Sequence, residues 1–335
     1  MVRIRSATVG SFPRPRGLAR LVGRFNSGKI DYERLEAGYE IYTRKLFKLL
    51  VSSRIECFTD GMLRWDDIFN PLISYIDGVK VDGLYRFYEN NFFFRAPQVV
   101  GKIKLKSDCP IPTWYKKSME ILNEVAGKHS THVLKAVLPG PLTLAINSVN
   151  NYYNGIEDLV RDYAYDVLLP LLKELKNYGA NLVEIHEPEL TYERVDSRIK
   201  LYGIELISQI FREVGVKLWL QTYFGSACRN LEFLLYLSRY IVGIDLKATD
   251  DYSKCMNYFS EFDSLAIGVY DSRNTLIEKN RSVGWYVSRF SKLNLNELFI
   301  TNNAPMDFIP EVIAVKKLRK LGRFVFLYNK VRGEA

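Results

Sequence analysis

The chain has 335 residues, of which 47% are hydrophobic and 25% charged, so it can bury a large core and is not disordered as a whole. Its 47 basic and 38 acidic residues give a net charge of +9, with the two signs interspersed. This mild basic excess permits nucleic-acid binding without indicating it, and no nucleic-acid partner is expected. No apolar run approaches the roughly 18 residues of a membrane span, and no apolar leader is visible, so we expect a cytoplasmic protein.

The four cysteines, Cys57, Cys109, Cys228 and Cys255, are far apart and form no Cys-x-x-Cys pair. This arrangement indicates neither a disulfide framework nor a cysteine-rich zinc site, so buried thiols are expected. The sequence has only three histidines and very little glutamine. That composition favours a thermophilic source, because thermolabile residues are avoided at high temperature.

Short apolar runs rich in valine and isoleucine alternate with longer helical patterns, which is typical of βα units around a parallel sheet. A helix-like segment follows nearly every run. The pattern therefore predicts a (β/α)8 TIM barrel, formed by residues 1–335 as a single domain. The eight predicted strands are residues 6–9, 55–59, 133–138, 182–185, 217–221, 242–246, 265–269 and 298–301.

Three segments show the helical period clearly. Residues 32–51 place their apolar side chains on one stripe, as expected for an outer helix of a barrel. Residues 156–178 repeat this pattern before Gly179, a typical helix-ending residue, and residues 309–321 repeat it after Asp307.

Residues 74–107 do not follow the βα rhythm. Aromatic, alternating segments at 84–88, 91–94 and 99–105 are broken by polar residues and a proline, which predicts a β-hairpin inserted after the second strand. Its aromatic density is typical of a lid over the barrel mouth or of an interface with a partner.

In a (β/α)8 barrel, functional residues follow the C-terminal ends of the strands. Four segments at predicted strand ends are distinctive: residues 9–14 (VGSFPR), 60–67 (DGMLRWDD), 138–143 (LPGPLT) and 185–190 (IHEPEL). In this order and spacing they resemble the cobalamin-independent methionine synthase family, in particular its short forms in which one barrel stands alone. The resemblance covers nearly the whole chain, from Val9 to about Gly322.

The resemblance implies a barrel that transfers a methyl group to homocysteine, whose sulfur is bound to zinc and reacts as a thiolate. In the family, a Thr-His-x-Cys pattern after the fifth strand supplies two zinc ligands, whereas residues 222–225 here read Thr-Tyr-Phe-Gly. The family's glutamate ligand after strand six matches Asp245, and its cysteine after strand eight matches Ala304. One carboxylate cannot hold zinc, so no metal and no cofactor are expected.

The positions that would hold homocysteine also differ from the family pattern. The glutamate that normally follows Asp-Gly is Met62, and the aspartate that normally precedes Glu-Pro is His186. Ser11 matches the family, while an expected histidine is Arg273, which cannot shuttle protons.

The remaining polar residues at the strand ends are candidates for substrate binding, and no catalytic residue is assigned. Ser11 and Asp60 also suit turn or cap roles. His186 beside Glu187 is more suggestive, because a histidine next to a carboxylate at a strand end can titrate near neutral pH. The candidates are Ser11, Arg14, Asp60, Arg64, Lys135, His186, Glu187, Asp245, Tyr270, Arg273 and Asn303.

These substitutions favour a divergent, zinc-less homologue that works beside a catalytic methionine synthase. The family includes long two-barrel enzymes whose first barrel also lacks the metal site and packs on the catalytic barrel. The expected partner is therefore a catalytic, zinc-containing methionine synthase. In that complex the chain would support its partner and help to hold a folate- or pterin-type methyl donor.

Two alternatives remain open. One is a stand-alone methyltransferase with another acceptor or donor, in which Arg14, Arg64, Lys135 and Arg273 bind an acidic donor such as a polyglutamylated pterin. The other is a uroporphyrinogen decarboxylase-like enzyme, which needs no metal. Cations that converge in an open pocket would favour the methyltransferase, whereas cations held in ion pairs would favour the partner role.

Overall fold

The computed structural model describes residues 2–90, 92–192, 194–249 and 251–333. Asn91, which begins one predicted hairpin segment, lies outside the described residues. The strands are β1 (Arg3–Ser6), β2 (Cys57–Thr59), β3 (Ile76–Arg86), β4 (Phe93–Leu105), β5 (Val133–Pro139), β6 (Val149–Asn150), β7 (Leu182–His186), β8 (Lys217–Gln221), β9 (Ile241–Asp245), β10 (Ser264–Tyr270) and β11 (Glu297–Asn302).

Eight parallel strands form the central sheet, in the order β1-β11-β10-β9-β8-β7-β5-β2. A bridge between Ala7, just after β1, and Cys57 in β2 brings the two edges of the sheet together. The predicted (β/α)8 barrel is therefore confirmed. Inside it, the rings of Trp219 and Phe299 pack 4.9 Å apart, so the barrel encloses a packed core.

Helices cover the outside of the barrel. The helix predicted at 156–178 is one continuous segment in which a π-helical turn, Tyr163–Leu168, joins two α-helices. No helix in the described part of the chain combines the length and apolar character that crossing a membrane requires. The α-helices are α1 (Arg16–Asn26), α2 (Tyr32–Ser52), α3 (Ile111–Ala126), α4 (Pro141–Ile146), α5 (Ile156–Asp162), α6 (Leu169–Asn177), α7 (Ser197–Val214), α8 (Leu231–Leu235), α9 (Asn280–Phe290) and α10 (Glu311–Arg332).

Among the barrel strands and helices, two predicted boundaries differ from the structure by more than two residues. The first strand lies at Arg3–Ser6 rather than at 6–9. Arg5 bonds Glu56 and Glu297 at 3.1 Å, and these ion pairs allow a charged side chain to stand within the strand. The last helix extends to Arg332 rather than ending at 321, since buried Phe324 continues its apolar face.

The residues of the inserted segment form an antiparallel hairpin of β3 and β4, with β6 added beside β4. At its tip, Phe87 and Tyr88 are buried, while Leu84 and Phe93 on its outer part are 65% and 54% exposed. The hairpin therefore has a tip that packs inward and a face that points to solvent.

The expectation of four free thiols is wrong for two cysteines. Cys228 and Cys255 form a disulfide, with Cα atoms 5.6 Å apart, although they are 27 residues apart in sequence. They follow the neighbouring parallel strands β8 and β9, so tertiary structure brings them to the same end of the barrel. Cys57 and Cys109 are free, and burial raises the pKa of both thiols to about 11.

Candidate functional site at the barrel mouth

A chain of buried polar contacts runs through the barrel toward its C-terminal mouth. The Lys135 ammonium donates to the Glu184 carboxylate, and the other Glu184 oxygen lies 2.6 Å from His186 Nε2. His186 Nδ1 in turn lies 3.1 Å from the Tyr223 hydroxyl. Burial raises the pKa of Glu184, but Lys135 and His186 outweigh it and hold that pKa below its usual value. The carboxylate next to His186 is therefore Glu184, not the neighbouring Glu187 suggested by the sequence.

Glu187 has a structural role at the start of α4. Its carboxylate accepts from the backbone N–H groups of Leu142 and Thr143, at 3.0 and 2.7 Å, and from the Thr143 hydroxyl. These bonds satisfy the free N–H groups at a helix N-terminus. Burial raises the pKa of Glu187 to about 8, and the nearby Glu189 carboxylate acts in the same direction. The hydrogen bonds from Thr143 and Leu142 oppose the shift.

Asp245 and Asn303 link the loops that follow β8, β9 and β11. Asp245 accepts from the N–H groups of Phe224 and Lys247, at 3.2 and 2.8 Å, and from the Asn303 amide at 3.0 Å. The Arg273 guanidinium lies 3.7 Å from the same carboxylate. Burial nevertheless raises the pKa of Asp245, against the opposing effect of Arg273.

The hairpin tip covers the mouth. The buried Tyr88 hydroxyl donates to Glu189 at 2.7 Å, and the Arg194 guanidinium also bonds Glu189 while lying 4.5 Å from the Tyr88 ring centroid. Phe92 packs against Phe308, with ring centroids 5.2 Å apart. The hairpin is thus a lid on its own barrel.

A cavity of about 30 Å3 lies beneath the lid, lined by Ser11, Met62, Tyr223 and Asp307 among others. Burial raises the pKa of Asp307 to about 6, although Ser11, His186 and Arg14 oppose the shift. The volume matches roughly one water molecule.

The four candidate cations do not converge. Arg14 lies 2.9 Å from Asp66, and Arg64 pairs with Glu36. Lys135 is fully buried on Glu184, and Arg273 lies within 4 Å of Asp245 and Asp271. Arg64 and Lys135 both line one small cavity of about 20 Å3, but Arg14 and Arg273 do not, so the four cations share no pocket for an acidic donor.

Two further candidates lie away from the lid cavity. Asp60 accepts from Met62 N–H at 3.0 Å and from Ser118 at 3.1 Å, as a turn residue would. Tyr270 is buried and its hydroxyl has no partner in the described part of the protein. Of the predicted residues, the structure brings Ser11 and His186 close to the cavity through their contacts with Asp307 and Tyr223.

The positions that match the family's zinc ligands do not fit a metal. Tyr223 is fully buried and faces His186. A Cβ atom at Gly225 would lie 1.9 Å from the backbone oxygen of Thr191, so no cysteine fits there without a backbone shift. Ala304 is buried, and the oxygens of Asp245 already accept several bonds. Within the described ranges, no group of three His, Cys, Asp or Glu side chains could hold a metal ion.

Sequence reasoning missed three residues of the mouth. Asp307 was interpreted only as a helix-start residue, and Glu189 and Tyr88 were given no individual role. A signal existed for Glu189, because it stands within the distinctive IHEPEL segment. Tyr88 and Asp307 reach the site from the inserted hairpin and from the loop after β11, which only the fold reveals.

The barrel fold and the strand-end segments place this chain among methionine synthase-like proteins. Residues 79–292 match the family described as the N-terminal domain of cobalamin-independent synthase, and the chain belongs to that family. This family is one connected with methionine biosynthesis, as the names of its relatives show.

Named relatives and solved structures agree with this assignment. The chain is 26% identical to a methionine synthase of Sulfolobus acidocaldarius, over 93% of this chain and 88% of that protein. It is 25% identical to the methionine synthase of Saccharolobus solfataricus, over 93% and 91%. A B12-independent methionine synthase from Shewanella has the same fold, with a TM-score of 0.80 at 16% identity over 98% of this chain and 99% of that one. A methyltransferase from Methanosarcina mazei aligns with a TM-score of 0.63 at 13% identity, over 97% and 94%.

Proposed function

We propose that this chain is a zinc-less, N-terminal-type barrel that works in methionine biosynthesis beside a catalytic, zinc-containing methionine synthase. The observation that carries the proposal is the state of the matched ligand positions. A tyrosine, a glycine and an alanine stand where two cysteines and a histidine would be needed, and Gly225 has no room for a side chain. Without a metal, this mouth lacks the means by which the family activates a thiol.

The match to the N-terminal domain of the synthases supports the same role. The four cations that would bind an acidic donor are each held by a carboxylate, which favours the partner role over the stand-alone methyltransferase. A folate- or pterin-type donor would then be held jointly with the partner.

Zinc analysis tests the first half of the proposal. The purified protein, dialysed against a mild chelator, is expected to contain no stoichiometric zinc, because Asp245 alone cannot replace the three or four ligands that zinc needs. One zinc per chain that survives dialysis would refute the zinc-less assignment.

Sedimentation with a catalytic methionine synthase from the same organism tests the second half. The outer hairpin face exposes Leu84 and Phe93, and buried aromatic side chains dominate many interfaces. We expect a complex at micromolar concentration that Phe93→Ser weakens. Tyr258→Ser is the control, because Tyr258 is also exposed, at 57%, and lies outside the hairpin. Two independent species, with Phe93→Ser behaving as wild type, would contradict the partner role.

A further inference from the structure

Aromatic rings from several elements face the lid cavity. Phe87 and Phe92 come from the hairpin tip, Trp65 follows β2, and Tyr223 and Phe308 come from the loops after β8 and β11. The centroids of Phe92 and Phe308 are 5.2 Å apart, and those of Phe87 and Phe92 are 6.5 Å apart. The rings therefore surround a common space.

The Asp307 carboxyl group also faces the cavity, and no ammonium or guanidinium group of the described residues forms an ion pair with it. The Asp307 Oδ1 atom is buried and has no hydrogen-bond partner in the described part of the chain, while Ser11 lines the same cavity. Arg14, the guanidinium that acts on Asp307 electrostatically, is bonded to Asp66 at 2.9 Å instead. A buried carboxyl oxygen without a hydrogen-bond donor is costly, and a cationic ligand in the cavity would offset that cost.

We propose that this cavity binds a methylated onium group, the quaternary ammonium or sulfonium head of a small molecule, with the hairpin tip closing over it. Aromatic faces attract such cations, and their methyl groups need no hydrogen-bond acceptors. A primary ammonium group would need three acceptors. The Tyr223 hydroxyl is already engaged with His186, so Asp307 supplies the counter-charge and the rings supply the remaining contacts.

The lid must open for this ligand to enter. With the hairpin tip in this position, the cavity of about 30 Å3 is too small for a group with three methyl substituents. The tip is held by the Tyr88 hydrogen bond to Glu189 and by the Phe92 contact with Phe308, and both can break without disturbing a barrel strand. This inference goes beyond the zinc-less partner role, and the two can fail separately.

Calorimetric titration of the purified chain with tetramethylammonium and trimethylsulfonium chloride tests the inference. Saturable binding of either cation is expected, with methylammonium and the neutral, similarly shaped tert-butanol at least about tenfold weaker, since one good cation–π contact is worth roughly a factor of ten. Equal binding of tert-butanol, tighter binding of methylammonium, or no binding of either onium ion would overturn the proposal.

Variants assign the binding to this cavity. Phe92→Leu keeps the apolar volume but removes a ring, and Asp307→Asn removes the charge, so each is expected to weaken tetramethylammonium binding about tenfold. Val81→Ser, at a position of the same hairpin that is 45% exposed, should leave it unchanged. If Asp307→Asn does not fold, Phe92→Leu alone decides: unchanged affinity in that variant would overturn the proposal.

Discussion

Asp307 has a buried carboxyl oxygen and forms no ion pair within the described residues. Burial raises its pKa from 3.8 to about 6 in the folded protein. The neutral carboxyl is therefore favoured in the fold, and the associated stability is present below about pH 4 and is lost as the pH rises through about 6. Ser11, Tyr223, His186 and Arg14 are the polar groups that act on it.

Asp307→Asn is expected to stabilise the protein at pH 7.5, by up to about 3 kcal/mol for a shift of two pKa units. At pH 4 the variant and the wild type should have similar free energies of unfolding. Urea denaturation at the two pH values measures the difference. An effect of the same size at both would show that the carboxyl group does not titrate as described.

The Lys135–Glu184 pair is a second test at the scale of single residues. Both side chains are fully buried, so Lys135→Met leaves a buried carboxylate without its counter-ion and should cost about 3–5 kcal/mol. The double variant with Glu184→Gln should recover part of that loss. It should not recover all of it, because Glu184 also contacts His186 and the Gly10 N–H group. The exposed pair Lys173–Glu213 is the control, since Lys173→Met should change stability by less than about 1 kcal/mol. Equal effects at the two sites would contradict this account.

At the scale of elements, the hairpin of β3 and β4 acts as one unit with two different surfaces. Its tip packs on the barrel mouth through Phe87, Tyr88 and Phe92, while Phe93 points outward. The same insertion can therefore close a cavity and offer a surface to a partner. The aromatic pattern predicted a lid or an interface, and the structure shows the lid.

Tyr88→Phe should loosen the tip without unfolding the barrel. The variant loses the hydrogen bond to Glu189, a contribution of roughly 1–3 kcal/mol for a charged acceptor. Hydrogen exchange at the tip should therefore accelerate several-fold while exchange in β7 and β8 stays unchanged. Tyr85→Phe is the control, because its exposed hydroxyl makes only a 3.5 Å contact with Asp82. Identical exchange at the tip in both variants would contradict a lid held by Tyr88.

At the scale of the whole molecule, the residues at the positions that match the family's zinc ligands are part of the packing of the mouth. Restoring the family pattern with Tyr223→His, Gly225→Cys and Ala304→Cys should lower stability and give no tight zinc site, because the cysteine at 225 meets the Thr191 backbone. Thermal unfolding and zinc titration of the triple variant measure both effects. Stoichiometric zinc with unchanged stability would show that the mouth is more adaptable than its packing indicates.

The sequence alone determined the barrel, the inserted hairpin and the family. Periodic apolar runs fix which segments become strands and helices, and motifs at strand ends stay close in sequence, so both can be recognised without coordinates. The boundary of β1 was missed because Arg3 and Arg5 interrupt its apolar pattern, and the partners of Arg5, Glu56 and Glu297, are distant in sequence.

Tertiary structure decided which polar groups meet. The Cys228–Cys255 disulfide, the Lys135 contact with Glu184 and the position of Asp307 under the lid all join residues from different βα units. Local sequence determines the local conformation of each unit, but closing the barrel sets the distances between strand ends. The partners of the cations were also decided by tertiary structure. Each of Arg14, Arg64 and Lys135 is paired with a carboxylate that only the closed barrel brings near.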